Sequence, residues 1–385
     1  MIFSLTLNWP PVIEFGPGKF SVIPDHLAEC RKVFILADMP FLNRAEELSE
    51  TLNAKGIRSL ISTDVVPEPP FEALERLPAQ VKAFGPDAVI GIGGGSAMDL
   101  AKLVSVLFTG EQRPVDIIGT NQVNRRDVRL ITVATTSGTG SEVTPIAVLT
   151  DTREKLKKGV VSRYLIPDVA IVDPELTVSM PPSITASTGM DAMTHCIEAY
   201  TNRYAHPIID NIALEGIRWI GTHLERAVKN GNDLEARTAM SLGSLYGGMC
   251  LGPVNTAGVH ALAYPLGGEF KISHGVSNSV LLPFVMVHNL PECVEKYAKI
   301  AEVIGVPGGS SPETAAKKAI RKIRDISNSC NIPPDLKSLN IPESAISAMA
   351  EAAMNVTRLL DNNPRVITLE DAERIYSNAW NGILE

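Results

Sequence analysis

Up to about residue 180, short β-branched apolar runs alternate with stretches whose apolar residues recur at helical spacing. Strands are expected over KVFILAD (32–38), DAVIGI (87–92), RLITVATT (129–136) and DVAIVD (168–173), and helices over 43–55, 71–84 and 96–108. Alternation of this kind predicts βαβ units and a mostly parallel sheet. From Pro181-Pro182 onward the strand signals stop. Segments 184–201, 206–229, 233–250, 275–288, 291–305, 311–330, 341–355 and 369–380 all carry a 3.6-residue period. They are separated by breaks such as PLGG (265–268) and GVPGGSSP (305–312), which read as loops within a domain. The pattern predicts an α/β domain over 1–181 followed by an all-helical domain over 182–385, with no internal repeat and no low-complexity tract.

Composition narrows the partners. A chain of 385 residues, 45% of them hydrophobic, can bury one large core or two ordinary ones, and two domains fit the change of rhythm. The net charge is -8 and no run of Lys and Arg is long enough to track a phosphate backbone, so no nucleic-acid partner is expected. The opening MIFSLTLNWPPVIEFG lacks a basic segment leading into an apolar one, and no stretch approaches the roughly 18 apolar residues that a membrane helix needs. The expectation is a cytoplasmic protein without a membrane partner. Five scattered cysteines (Cys30, Cys196, Cys250, Cys293, Cys330) with no CxxC pair fit reduced, mostly buried thiols.

Two loops suggest an anionic ligand. In DAVIGIGGGSAMDLAKLVSVLF an apolar strand passes through Gly93, Gly94, Gly95 and Ser96 into a helix with apolar positions at Ala97, Leu100, Ala101, Val104 and Phe108. Glycines let backbone N–H groups approach a ligand, and the helix N-terminus that follows favours negative charge, so a pyrophosphate is the natural guest. The spacing departs from G-x-G-x-x-G, since Ser96 holds the third position. TTSGTGSEVT (135–144), rich in hydroxyls and glycine, follows the strand RLITVA at the end where open α/β sheets bind ligands. Asp38 closes the strand KVFILAD, where a carboxylate could accept from both ribose hydroxyls and would repel a 2′-phosphate. NAD is therefore expected ahead of NADP.

The helical half offers metal chemistry. In DAMTHCIEAY (191–200), Asp191 and His195 lie four residues apart, which puts an oxygen and an imidazole nitrogen on one helix face. NTAGVHALAYPLGG supplies His260 and KISHGVSNSVLLP supplies His274, both in small, apolar surroundings where a lone imidazole needs a partner. His26, His206, His223 and His288 suit surface or capping positions. One carboxylate with three imidazoles suits Fe(II) or Zn(II), not Ca(II), and four protein ligands leave coordination open for a substrate oxygen.

GIGGGSAMDLAK, TTSGTGSEVT, IPDVAIVDPELT, TGMDAMTHCIEAY and HGVSNSVLLP occur in that order across nearly the whole chain, and together they resemble the iron-containing (group III) alcohol dehydrogenases. The resemblance implies a dehydroquinate synthase-like fold, with an N-terminal α/β domain that binds NAD(P), a C-terminal helical domain that holds the metal, and the substrate between them. It implies metal ligands Asp191, His195, His260 and His274, Fe(II) first and Zn(II) second. It implies that Gly93, Gly94, Gly95 and Ser96, with Thr135, Thr136, Thr144 and Lys157, hold the dinucleotide, and that Asp38 favours NAD. It further implies hydride exchange between nicotinamide and a small alcohol or aldehyde, with His260 and His274 at the reacting centre, and a homo-oligomer, a dimer. Many members carry a further histidine four residues after the third ligand, where this chain has Tyr264. A phenol is a poor base near neutrality but can donate a hydrogen bond or relay a proton, so Tyr264 reads either as a relay or as a pocket wall. Two neighbouring readings are a hydroxyacid-oxoacid transhydrogenase and a dehydroquinate-synthase-like lyase. The lyase needs basic residues to grip a carboxylate and a phosphate, and 184–201 and 254–280 offer only Lys271.

Overall fold

The computed structural model describes residues 4–67, 69–151, 156–307, 309 and 311–384, with backbone alone at 75 and 156. They form two compact units. Residues 7–136 and 140–177 make the first, and 178–384, with 4–6 and 137–139, make the second.

In the first unit the order is β1 (Val12–Phe15), β2 (Lys32–Ala37), α1 (Leu42–Ala54), β3 (Arg58–Ser62), α2 (Ala73–Phe84), β4 (Ala88–Gly93), α3 (Gly95–Leu107), β5 (Gly119–Thr120), β6 (Arg129–Ala134), β7 (Ile146–Asp151), β8 (Leu156–Val161) and β9 (Val169–Val172). The main sheet runs β1-β9-β6-β4-β2-β3 with every neighbouring pair parallel. Alternate residues of one strand serve opposite faces. Phe34, Leu36, Val89 and Leu130 pack with Leu77 and Val81 of α2 and Leu100 and Val104 of α3, whereas Val33, Ile35, Ile90, Ile92, Ile131 and Val133 pack with Ala45, Leu48 and Leu52 of α1. Burial on both faces is why these strands read as unbroken apolar runs. Two strands of this sheet, β1 and β3, lie at its edges and have no counterpart among the expected strands. β5, β8 and β7 form a separate small sheet in which β7 and β8 pair antiparallel, a hairpin that the sequence pattern did not announce.

Parallel pairing brings three strand ends together. Ala37 pairs with Ile92 and Gly93 with Ala134, so Asp38, the Gly93-Gly94 turn and Thr135 follow neighbouring strands at their C-terminal ends. That is the edge at which open parallel sheets carry ligands.

The second unit consists of α4 (Pro182–Thr201), α5 (Pro207–Lys229), α6 (Leu234–Leu251), α7 (Gly258–Phe270), α8 (His274–Val303), α9 (Pro312–Ser329), α10 (Ile346–Met354), α11 (Thr357–Leu360) and α12 (Leu369–Asn381). Several starts are written locally. Asp233 accepts from the Ala236 N–H, Ser311 from Thr314, and Thr368 and Asp371 form a capping box at α12. Two expected breaks are absent. PLGG lies inside α7, and the segments expected at 275–288 and 291–305 are one helix, α8, running through Pro283 and Pro291. Proline removes one backbone donor and disfavours a helix interior, but packing of α8 on α4, α7 and α9 outweighs that local cost. α4 is buried on nearly every side from Thr185 to Thr201, so its polar residues must find partners inside the protein.

Candidate active site

In the α/β unit, Gly94 is the N-cap of α3, and its N–H donates to Asp38 Oδ2 at 2.8 Å. Burial pushes the Asp38 carboxyl up, opposed by that hydrogen bond. The Thr135 N–H donates to the Gly93 carbonyl at 3.1 Å, and the Thr135 hydroxyl is buried with no hydrogen-bond partner among the described residues. Thr136 lies against Gly94, about where a Cβ on that glycine would make van der Waals contact. Gly95 and Ser96 open α3. The structure thus brings Asp38, Gly93, Gly94 and Thr136 to one place.

Thr144 belongs to a buried network beneath this edge. Lys102, fully buried, holds its Nζ, with three hydrogens to share, within hydrogen-bonding reach of four oxygens: the Ser141 carbonyl (2.6 Å), Ser141 Oγ (2.8 Å), Thr144 Oγ1 (3.1 Å) and the Ile146 carbonyl (2.8 Å). Asp99 accepts from Ser141 Oγ at 2.6 Å and from the Val148 N–H at 2.9 Å. The Thr144 hydroxyl is thus engaged internally, fixing the shape of the 141–146 segment. Lys157 sits on β8 opposite Thr150, and its charge helps to hold Asp99 down against the burial that raises it.

In the helical unit, four side chains converge. Asp191 and His195 stand one turn apart on α4, His260 lies in the first turn of α7, and His274 is the first residue of α8. One ligand atom from each lies within 4.8 Å of all the others. Asp191 Oδ1 is 3.8 Å from Nε2 of His195, 3.8 Å from Nε2 of His260 and 3.7 Å from Nε2 of His274. Burial alone would raise Asp191, but His195, His274 and His260 and the Asn278 amide outweigh it and hold the carboxyl at about 2. Burial lowers His195, opposed chiefly by Asp191.

The donor set fits a divalent cation on its own chemistry. Asp191 is 3% exposed, and among the described residues no lysine or arginine pairs with it. The group facing the cluster is the Asn278 amide, whose Nδ2 lies 2.7 Å from Asp191 Oδ1, 3.1 Å from His260 Nε2 and 3.2 Å from His274 Nε2. The cluster thus sets one carboxylate among three imidazoles with a single neutral amide beside it, a donor set that suits a divalent ion.

Two residues of this site carried no expectation from the sequence. Asn278 lies one turn after His274, and Glu198 lies one turn after His195. Glu198 Oε2 is 2.5 Å from His260 Nδ1, and Oε1 accepts from the Val259 N–H at 2.6 Å. The i+3 and i+4 spacing from a ligand was the available signal. Tyr264 falls on the same helix as His260, its ring 6.5 Å from that of His274, and burial pushes its phenol up. Lys271 donates to the Gly268 carbonyl in an exposed turn. One expectation is corrected: His288, read as a surface or capping residue, is buried within α8, where Nε2 meets the Val366 carbonyl at 3.1 Å. The 365–371 segment covers it, with Arg365 donating to the His288 carbonyl at 2.7 Å and Asp371 Oδ1 3.9 Å from Nδ1.

Comparisons with known proteins agree along the chain. Residues 10–174 match the family described as "Iron-containing alcohol dehydrogenase", and residues 185–380 match "Fe-containing alcohol dehydrogenase family, C-terminal". The chain is 39% identical to Long-chain-alcohol dehydrogenase 1 of Geobacillus thermodenitrificans (strain NG80-2), covering 98% of this chain and 97% of that one. It is 34% identical to NAD-dependent methanol dehydrogenase of Bacillus methanolicus, covering 96% and 98%. A crystal structure of 1,3-propanediol oxidoreductase matches with a TM-score of 0.94 at 34% identity, covering 98% of this chain and 100% of that one. On these matches, the chain belongs to the iron-containing alcohol dehydrogenase family of oxidoreductases.

Proposed function

We propose that this chain is a metal-dependent, NAD(H)-linked alcohol dehydrogenase and aldehyde reductase, with residues 1–181 binding the dinucleotide and 182–385 holding the metal. The observation that carries the reading is the cluster of Asp191, His195 and His260, all buried, with half-buried His274, which gathers one carboxylate and three imidazoles while no lysine or arginine among the described residues pairs with that carboxylate. A cation held there, Fe(II) ahead of Zn(II), supplies Lewis-acid polarisation of an alcohol or carbonyl oxygen, while nicotinamide exchanges the hydride. The chain's own residues do the rest. Asp191 contributes negative charge and the three imidazoles contribute nitrogen lone pairs. Tyr264, its phenol pushed up by burial, keeps its proton near neutrality and acts as a hydrogen-bond donor at Oη, not as a base.

Gly93, Gly94, Gly95 and Ser96 with Thr135 and Thr136 receive the dinucleotide. Thr144 contributes through the loop that Lys102 fixes, and Lys157 through charge. Asp38, half-buried beside Gly94, favours NAD, because a 2′-phosphate there would meet a carboxylate. The relative from Bacillus methanolicus, by its name NAD-dependent, supports the same choice. The chain works as a homodimer in the cytoplasm on small alcohols and aldehydes. No helix among the described residues is long and apolar enough to cross a membrane.

The test is His260→Ala. Alcohol-dependent NADH formation should fall by about 10³-fold, the scale of several kcal/mol of transition-state stabilisation, with the far-ultraviolet circular dichroism unchanged. Full turnover in the variant would overturn the assignment.

A further inference from the structure

We propose that Glu198 is a positioning residue for His260: one carboxylate caps the helix that carries this ligand and sets which ring nitrogen faces the cluster. The proposal rests on the metal-site reading above and deepens it.

α7 begins at Gly258, and its N-cap is Ala257, whose methyl cannot accept a hydrogen bond. The first backbone N–H groups of a helix have no partner within it and need one from elsewhere. Glu198 provides it from α4. Its Oε1 accepts from the Val259 N–H at 2.6 Å and lies 3.4 Å from the His260 nitrogen. A carboxylate at that end also meets the positive end of the helix dipole. The second oxygen, Oε2, lies 2.5 Å from His260 Nδ1. The backbone groups can only donate, so Oε1 is committed to them, and Oε2 is left to accept from the ring. With its hydrogen on Nδ1, His260 turns the lone pair of Nε2 toward Asp191 Oδ1 and the Asn278 amide. Glu198 is 4% exposed, so water does not compete for either oxygen. Rotation of the ring and the start of its helix are thus tied to a single fork on the helix that also carries Asp191 and His195.

Glutamine has the same shape but cannot serve both ends. If its oxygen stays on the Val259 N–H, its nitrogen donates to Nδ1, and the ring hydrogen moves to Nε2, where it covers the lone pair meant for a cation. If the amide turns over, two donors face each other at the helix start and the cap is lost.

The experiment uses full-length, metal-free wild type and Glu198→Gln. Each is titrated with Co(II), following the visible ligand-field bands, and with Zn(II) by calorimetry, and the metal-free proteins are melted in parallel. Wild type should take up one ion per chain. E198Q should bind about 10- to 100-fold more weakly, the range seen when a histidine ligand loses its outer partner, with altered Co(II) bands. The metal-free variant should melt close to wild type. E198Q with wild-type affinity and bands would overturn the proposal, and a lowered melting temperature with unchanged affinity would reduce Glu198 to a cap alone. Should E198Q melt too low to titrate, Glu198→Asp carries the same test, because its carboxylate falls one methylene short of Nδ1. If wild type itself takes up no ion, the metal-site reading fails instead.

Discussion

Gly93 has φ +156°, and a Cβ there would collide with the Asp38 carboxylate and come within 2.6 Å of Ala97 Cβ. Gly93→Ala must strain the backbone or push Asp38 away from Gly94, at a cost of about 1–3 kcal/mol. Differential scanning fluorimetry should show a melting temperature lowered by several degrees, and NADH fluorescence should show weaker binding. A variant with wild-type melting and wild-type NADH binding would contradict the packing described for this turn. At the same scale, Asp191 and His195 could be read from the sequence because a four-residue interval fixes two side chains on one helix face. Their gathering with His260 and His274 depends on helices far apart in the chain, and only the recurrence of imidazoles in apolar surroundings hinted at it. Glu198 and Asn278 stayed hidden for a physical reason. An acid or an amide within a helical stretch ordinarily reads as part of a solvated face, and nothing local shows that α4 is buried all round or that α8 is buried at Asn278.

Among the elements, α3 and the 141–146 segment are joined by a buried charge network whose pH response has a definite sign. Burial lowers Lys102 to about 8, opposed by Asp99 and Glu142, and burial raises Glu142 from 4.5 to about 7, opposed by its backbone hydrogen bond and by Lys102. Between pH 4.5 and about 7 the folded chain keeps a proton on Glu142 that the unfolded chain has released, so this group costs stability as pH rises through that window. Lys102 acts in the opposite sense at higher pH. From about 8 to 10.5 the unfolded chain holds a proton that the folded chain has released, and stability is gained as pH rises. Glu142→Gln removes the first slope. Across pH 4.5 to 7 its melting temperature should rise relative to wild type, and a constant difference would show that Glu142 is not the group responsible. The helices also show where pattern reading stops. Pro265, Pro283 and Pro291 are local helix breakers, and the expected ends at PLGG and before 291 followed that preference. Tertiary packing overrides it in α7 and α8, and a single sequence carries no direct record of such contacts. The hairpin of β7 and β8 was missed for a related reason, since LKKGVV lacks a clean alternation of apolar and polar residues.

For the molecule as a whole, the change of rhythm near residue 181 is what a parallel sheet unit followed by helices writes into a sequence, and the fold class was legible from it. Each unit brings one part of the proposed chemistry. The first offers a glycine turn, an acid and hydroxyls at the ends of parallel strands, and the second offers four ligand atoms on three helices. Specificity was not legible, because the residues that would grip a particular alcohol are set by tertiary placement. Asn255 stands at φ +78°, and Thr256 and Tyr264 are held by helix ends and packing that no short motif encodes.

The most direct test of the central claim is an anaerobic titration of metal-free enzyme with Fe(II), in the presence of NAD and a primary alcohol, measuring bound iron and NADH formation in the same samples. The expected result is a rate that climbs in proportion to bound iron and levels off at one ion per chain, with His260→Ala flat throughout. Turnover by the metal-free protein at the reloaded rate, or full reactivation of H260A, would contradict it.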